Sequence, residues 1–345
     1  MQRYDHGGDI YGSTDVMLDF SVNIHPLGMP ERVKRALAAC VSDYERYPDP
    51  HCRKLTAALV ALHGVEPGCV LCGSGAADLI FRICASLRPR HVLIPAPTFS
   101  EYERAAALFG SEIREFRLEE YDGFPLTERI LDALTPDVDM LFLCNPNNPT
   151  GRLIDPMLLR RILDKCEAQG IRLILDECFL DFTDGESMVP LMAAYPHLLI
   201  LRAFTKLYGL AGLRLGYMLG ADTALLADIG RFGQTWSVSV PAQTAGLAAL
   251  GEHSWAEQTR RLVREERTYT AQALTAMGLD VLPSDANFLL IKSHTPLYAP
   301  LLKRGILVRD CSNFSGLSER YMRIGLKMRS KNEVLLRVIS EVLHG

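Results

Sequence analysis

From about residue 50 to residue 235, short runs dense in Ile, Leu and Val alternate with segments whose apolar residues recur at helical spacing. The runs at 69–72, 91–94, 113–116, 140–144, 173–175, 198–202 and 213–218 predict strands. Most are bounded by Pro, Gly or Asn. Such short apolar runs, separated by helices, are the pattern of a sheet buried on both faces and mainly parallel. The segments 76–87, 101–108 and 158–169 predict helices, the last of them stopping at Gly170, a good C-terminal signal. The expected fold class is α/β, with a mainly parallel seven-stranded sheet flanked by helices.

Beyond residue 240 the pattern changes. A long charged helix is expected over 255–277, shorter strands over 287–291, 306–308 and 321–324, and a final helix closes the chain. This predicts a small α+β domain at 241–345 and a large domain at 46–240. Residues 1–45 precede the main sheet and are expected to pack with the small domain. No low-complexity linker or internal repeat interrupts the chain.

Composition narrows the function classes. The 345 residues are 48% hydrophobic, ample for two cores. A net charge of −4 gives no bulk positive field for nucleic acid or a membrane surface. No apolar run approaches the roughly 18 residues that span a bilayer, and the start, Met-Gln-Arg-Tyr-Asp-His, has no signal-peptide apolar region. A cytoplasmic protein is expected. The nine cysteines lie mostly in apolar runs and read as small buried hydrophobes in a reducing compartment. Cys69 and Cys72 have C-x-x-C spacing but no second ligand pair, so a core strand is expected there and no metal site.

Three strings carry chemistry. Asn145-Pro-Asn-Asn-Pro-Thr-Gly151 follows one predicted strand, and Asp176 ends another in Leu-Asp-Glu. Lys206 follows a third and precedes the glycine-rich stretch from Gly209 to Gly216. A lysine able to form a Schiff base, a carboxylate able to keep a pyridine nitrogen protonated, and an asparagine for a ring hydroxyl are the parts that hold pyridoxal phosphate. Gly73-Ser74-Gly75-Ala76 opens a helix after a strand and is either a tight turn or an anion site. It lacks the third glycine of a dinucleotide fingerprint. Arg214 is either a surface arginine or a phosphate ligand.

Taken together these strings resemble the fold-type I pyridoxal phosphate enzymes of the aminotransferase superfamily. The resemblance implies that Lys206 carries the cofactor, Asp176 pairs with its ring nitrogen and Asn148 bonds its ring hydroxyl. It also implies that Arg214 and the N–H groups of Gly75 and Ala76 hold its phosphate, that Phe99 stacks on its ring, and that Arg323 grips a substrate carboxylate. Ala203 stands where a hydroxyl often touches the phosphate, and Thr205 offers one nearby. Tyr47, in Glu-Arg-Tyr-Pro-Asp-Pro, resembles a tyrosine that this family supplies across a dimer interface, which implies a homodimer.

Within the superfamily, the string His6-Gly-Gly, the string Leu18-Asp-Phe-Ser-Val-Asn-Ile-His-Pro-Leu-Gly28 and the phenylalanine at 179 resemble the threonine-phosphate decarboxylases of cobalamin synthesis more than the histidinol-phosphate aminotransferases. His25 departs from the pattern, which has asparagine there. The resemblance implies decarboxylation of O-phospho-L-threonine, with transamination of histidinol phosphate as the alternative. Both substrates are small phosphate monoesters and need a cation site. Arg309 is the candidate, against a reading as a strand-edge arginine, with His6 as a second donor and Asn23 and Arg323 as further substrate contacts. An enzyme is expected and not a non-catalytic regulator of the same fold, since Lys206, Asp176 and Arg323 are all present and no DNA-binding domain has room before the first motif.

Overall fold

A computed structural model describes residues 6–11 and 16–344. The stretch 1–5, read above for a signal segment, lies outside them. Thirteen strands are found among the described residues. They are β1 (Leu18–Asp19), β2 (Val70–Gly73), β3 (His91–Ala96), β4 (Glu112–Arg117), β5 (Met140–Cys144), β6 (Arg172–Asp176), β7 (Leu198–Ala203), β8 (Gly216–Gly220), β9 (Asp280–Val281), β10 (Phe288–Lys292), β11 (Ile306–Leu307), β12 (Arg309–Asp310) and β13 (Tyr321–Gly325). The helices are α1 (Glu31–Ala39), α2 (Arg53–His63), α3 (Ala76–Leu87), α4 (Glu101–Leu108), α5 (Ile130–Ala133), α6 (Pro156–Gln169), α7 (Phe204–Leu207), α8 (Thr223–Arg231), α9 (Val240–Leu250), α10 (Trp255–Ala276), α11 (Tyr298–Leu302) and α12 (Arg329–His344).

The large sheet has seven strands in the order β2-β8-β7-β6-β5-β3-β4. Only β8 runs against the others, pairing antiparallel with both β2 and β7. Residues along the central strands alternate between two apolar layers, as the pleat requires. Leu141, Leu143, Leu173, Leu175 and Ile200 face one layer with α2, α6 and α9. Phe142, Ile174, Leu199 and Leu201 face the other with α3, α4 and α8. This is why β5, β6 and β7 read as unbroken apolar runs. The edge strand β4 carries Glu112, Arg114, Glu115 and Arg117, which discourage pairing with another chain.

Strand β8 begins three residues later than its apolar run predicts. Residues Ala211–Leu213 form a helical turn, and Arg214 takes φ +55. The run Leu213 to Met218 is apolar, but that backbone cannot join a ladder until Gly216. The run at 306–308 also yields a shorter strand than expected, with a second strand directly after it. Ile306 and Leu307 pair in parallel with β1, whereas Arg309 and Asp310 pair with β13 in a four-stranded sheet of order β12-β13-β10-β9. A third core, built from α10, α11, α12, β10 and β13, includes Phe20 from the N-terminal segment. The same segment sends Val33 of α1 into the core of the large sheet, with Ala242, Ala245 and Ala249 of α9.

Helix α6 shows how local sequence fixes an element. Asp155 accepts hydrogen bonds from the Met157 and Leu158 N–H groups, Pro156 fills the first turn, and Gly170 ends the helix. At the centre of the sheet, Ile200 is fully buried between Leu175 and Leu219. Ile200→Ala is expected to lower stability by about 2–5 kcal/mol through the cavity it leaves. The check is a shift of the urea midpoint with an unchanged slope.

Candidate active site

Every parallel strand of the large sheet ends at the same edge, and the turns that follow deliver the predicted side chains there. Ligands of open α/β sheets gather at this edge because the loops converge on it without crossing the core. Asp176 is the last residue of β6, and Lys206 and Thr205 lie on α7 directly after β7. Asn148 follows β5, Phe99 follows β3, and Gly75 and Ala76 join β2 to α3. Ala76, Phe99, Asn148, Asp176, Thr205, Lys206 and Arg214 line one cleft of about 110 Å³, together with Tyr102, Cys144, Cys178, Phe179 and Ala203.

Lys206 has its amine 5.2 Å from the centre of the Phe179 ring. Burial, with the Arg323 charge nearby, lowers its pKa to about 8. Asp176 is buried and held from two sides. The Tyr102 hydroxyl donates to Oδ2 at 2.7 Å, and the Cys178 N–H donates to Oδ1 at 2.9 Å. Burial and the Asp176 charge push the Tyr102 phenol well above its ordinary value, so it stays a donor. Its ring stacks on Phe142, 5.0 Å between centroids.

Gly75 lies against Arg214. A Cβ built on Gly75 would fall 2.7 Å from Arg214 Nη2, so the guanidinium lies against bare backbone where α3 begins. Arg214 also donates to the Ala211 carbonyl at 3.1 Å. A cation and the first N–H groups of a helix thus meet at one end of the cleft, an arrangement that can hold an anion.

Arg323 is buried on β13. It donates to Asn148 Oδ1, and its Nη2 donates to the Ser21 carbonyl at 2.8 Å. Its buried Nε has no partner among the described residues. Burial, with Arg309 nearby, lowers its pKa to about 10, which leaves it charged at neutral pH. Arg309 sits directly opposite it, paired across β12 and β13. Arg309 donates to Asn313 Oδ1 at 2.7 Å and lies over the Phe314 ring. It lines a neighbouring cavity of about 190 Å³ with Thr98, Phe99 and Ser100, and Glu103 and Glu115 also border that cavity. Phe99 lines both cavities.

Like Gly75, Arg309 and Arg323, the expected residues His6, Asn23 and Tyr47 are not part of the cleft lining. His6 meets Glu101 at 2.8 Å, with its ring 5.9 Å from that of Phe99. Asn23 is buried, and its Oδ1 has no partner among the described residues. Tyr47 is 78% exposed and stacks on Trp236, 4.4 Å between centroids. His25 is buried behind the site. It contacts Thr259 Oγ1 and Trp255, and its N–H donates to the Lys206 carbonyl at 3.2 Å.

Tyr102 and Glu101 are the residues that sequence reading missed. Both lie in the string that contains Phe99, and the available signal was weak. A tyrosine three residues after Phe99, on a helix face expected to be buried, needs a partner for its hydroxyl. Which partner it finds is set by how α4 packs over β6, and no local pattern encodes that.

The chain matches known proteins along nearly its whole length. The family model of aminotransferase class I and II covers residues 15–339. The chain is 44% identical to the threonine-phosphate decarboxylase of Salmonella typhimurium, over 99% of this chain and 97% of that protein. The solved histidinol-phosphate aminotransferase of Clostridium acetobutylicum superposes with a TM-score of 0.88 at 29% identity, covering 95% of this chain and 99% of that one. The L-threonine-O-3-phosphate decarboxylase of Porphyromonas gingivalis gives 0.85 at 25% identity, with 94% and 99% covered. The seven-stranded sheet with its smaller companion domain is therefore the fold-type I architecture. With Asp176, Asn148 and Lys206 in one cleft at the sheet edge and the family pattern running from residue 15 to residue 339, the chain belongs to the class I and II aminotransferases.

Proposed function

We propose that this chain is a pyridoxal phosphate enzyme that decarboxylates O-phospho-L-threonine to (R)-1-aminopropan-2-yl phosphate, a step of cobalamin synthesis. The observation that carries the reading is the cross-strand pair Arg309 and Arg323, in a chain 44% identical over 99% of its length to a threonine-phosphate decarboxylase. Like charges directly opposite each other on a sheet repel. A small substrate with an anion at each end, one carboxylate and one phosphate, turns that repulsion into attraction.

The residues fit the cofactor. The bare backbone of Gly75 beneath Arg214, at the start of α3, supports a phosphate site that Ala76 and Thr205 complete. Asp176, oriented by Tyr102 and Cys178, would hold a proton on the ring nitrogen. Asn148 would bond the ring hydroxyl, Phe99 would cover the ring, and Lys206 would make the covalent link. When bound, pyridoxal phosphate accepts the electron pair released as a bond at the substrate Cα breaks.

The remaining work falls to the chain. Arg323 would bind the carboxylate, and its unpartnered Nε supports that role. Arg309 and His6 would bind the phosphate, with Asn23 nearby. Holding both ends of the substrate selects which bond at Cα stands perpendicular to the cofactor plane. The bond from Cα to the carboxylate carbon breaks, carbon dioxide leaves, and Lys206 returns a proton to Cα. Phe179 lines the cleft without a hydroxyl to offer, in keeping with a decarboxylase.

We also propose a homodimer in which Tyr47 reaches the partner's cofactor phosphate. Tyr44, Tyr47, Phe232 and Trp236 are exposed aromatic side chains, and the stacking of Tyr47 on Trp236 supports a face waiting to be covered. Nine free, buried cysteines support a reducing, cytoplasmic setting. Among the described residues no helix is long and apolar enough to cross a membrane.

Three outcomes are expected. Apo-protein should capture pyridoxal phosphate faster as pH rises through about 8, because the attacking species is the neutral amine and Lys206 loses its proton there. Borohydride treatment should leave a pyridoxyl mass on the Lys206 peptide, and Lys206→Ala should abolish turnover. A rise only above pH 10, or label on another lysine, would contradict this assignment.

Purified protein should release carbon dioxide from O-phospho-L-threonine, and Arg309→Ala should weaken substrate binding at least about tenfold while leaving cofactor loading intact, as expected for a charge-assisted pair. Rapid amino transfer from histidinol phosphate to 2-oxoglutarate without carbon dioxide release would favour the alternative. For the dimer, Trp236→Glu should shift sedimentation towards monomer and weaken cofactor retention. A monomeric, fully loaded wild type would rule out the role given to Tyr47.

A further inference from the structure

The two glycines after His6 have physical reasons to be there. A Cβ at Gly7 would fall 2.2 Å from the Ser21 carbonyl oxygen, closer than any side chain tolerates. Gly8 has φ +92, and its N–H donates to Ser21 Oγ at 2.7 Å. Ser21 Oγ donates in turn to Asp19 at 2.6 Å. The Ser21 carbonyl is the one that accepts from Arg323. The glycine end of this strap is therefore fastened to the residue that orients Arg323.

The other end is fastened to the large sheet's helical layer. His6 Nε2 lies 2.8 Å from Glu101 Oε1. Glu101 is buried in the first turn of α4, two residues after Phe99. A buried carboxylate is costly unless it is paired. Arg104 reaches it at 3.3 Å with a largely exposed side chain, and the part-buried imidazole of His6 is a second partner. The contact brings the His6 ring beside Phe99, where the Lys206 cleft and the Arg309 cavity adjoin.

We propose that Glu101 is a positioning residue for the substrate phosphate and acts through His6. Together with Ser21 it fastens residues 6–8 beside Phe99, so that the imidazole is already in place when a phosphorylated amino acid enters. This rests on the reading of the site as one for such a substrate. The strap bridges the layer that holds the cofactor cleft and the sheet that carries the two arginines. Glu101 thereby links recognition of the phosphate to the placement of the carboxylate.

The test uses cofactor-loaded enzyme and two measurements. Hydrogen exchange is followed in the peptide containing residues 6–11, and steady-state kinetics are run with O-phospho-L-threonine. Glu101→Ala should speed exchange in that peptide several-fold. It should raise KM about tenfold, the loss of one charge-assisted contact, with a much smaller change in kcat. His6→Ala should raise KM similarly, and the double variant should be no worse than His6→Ala alone, since the two act as one unit. Glu101→Gln keeps the shape and an acceptor oxygen, so it should fall between wild type and Glu101→Ala, and it serves if the alanine variant does not fold. Unchanged exchange, or KM effects that multiply in the double variant, would overturn the proposal. Faster exchange in a protein whose wild type does not turn over phosphothreonine would leave the fastening standing and overturn its link to phosphate.

Discussion

A primary amine half-buried in the cleft that follows β7 sets the terms for everything around it. Taking an ammonium out of water is unfavourable, and the amine answers by releasing its proton more readily. That response is useful only if the surroundings stay dry and fixed. The sheet supplies both conditions, since β5, β6 and β7 are covered on each face by apolar layers. A buried ionic clamp secures the strand ends. Arg202, on β7, reaches Glu177 at 2.9 Å and Asp181 at 2.6 Å, and Glu177 also accepts from Ser187. The strand that leads to Lys206 is thus tied to the residue next to Asp176. Breaking such a pair leaves an uncompensated charge in the core, so the spacing between lysine and aspartate is firmly held.

The second domain completes the site through backbone register. Arg309 and Arg323 face each other because β12 and β13 pair antiparallel with those residues opposite. A slip of one residue would send one guanidinium to the other face of the sheet. The Arg323 contact with Asn148 then joins this small sheet to the turn after β5. The Lys206 cleft and the two arginines are therefore positioned by different cores, which meet through an apolar cluster that joins Leu118 and Phe124 to Leu290 and Phe314, and through polar contacts. One is the Leu153 N–H donating to Asp285, and another is Ser315 Oγ donating to Glu115.

Much of this was legible in the chain. The apolar runs at β3, β5, β6 and β7 declared a doubly covered sheet because burial on both faces leaves a continuous signature. Asp176, Asn148 and Lys206 were legible because each sits just past such a run, where a polar residue is conspicuous. The start of β8 was misread because a left-handed Arg214 leaves no trace in an apolar pattern. The switch from one sheet at Ile306 and Leu307 to another at Arg309 and Asp310 was equally silent, since the choice of partner strand leaves no mark in the local pattern. Tyr102 and Glu101 were missed for another reason. Their partners, Asp176 and His6, lie 74 and 95 residues away, and only tertiary packing brings them together.

The placement of Arg309 has an evolutionary consequence. It lies on β12, the outermost strand of its sheet, with β13 as its one neighbour. An edge strand of two residues has one ladder to keep, so a substitution that preserves its register disturbs less than one in a central strand. The lysine and aspartate sit instead at the ends of the central strands β7 and β6, whose apolar cover on both faces tolerates little change. On the role proposed for Arg309, selection could thus change what is recognised at the far end of the substrate while Lys206 and Asp176 stay untouched. Laboratory diversification for new side-chain preferences would do well to begin at Arg309 and its exposed neighbours Asn313, Ser315 and Gly316, leaving buried Cys311, Phe314 and the central strands alone.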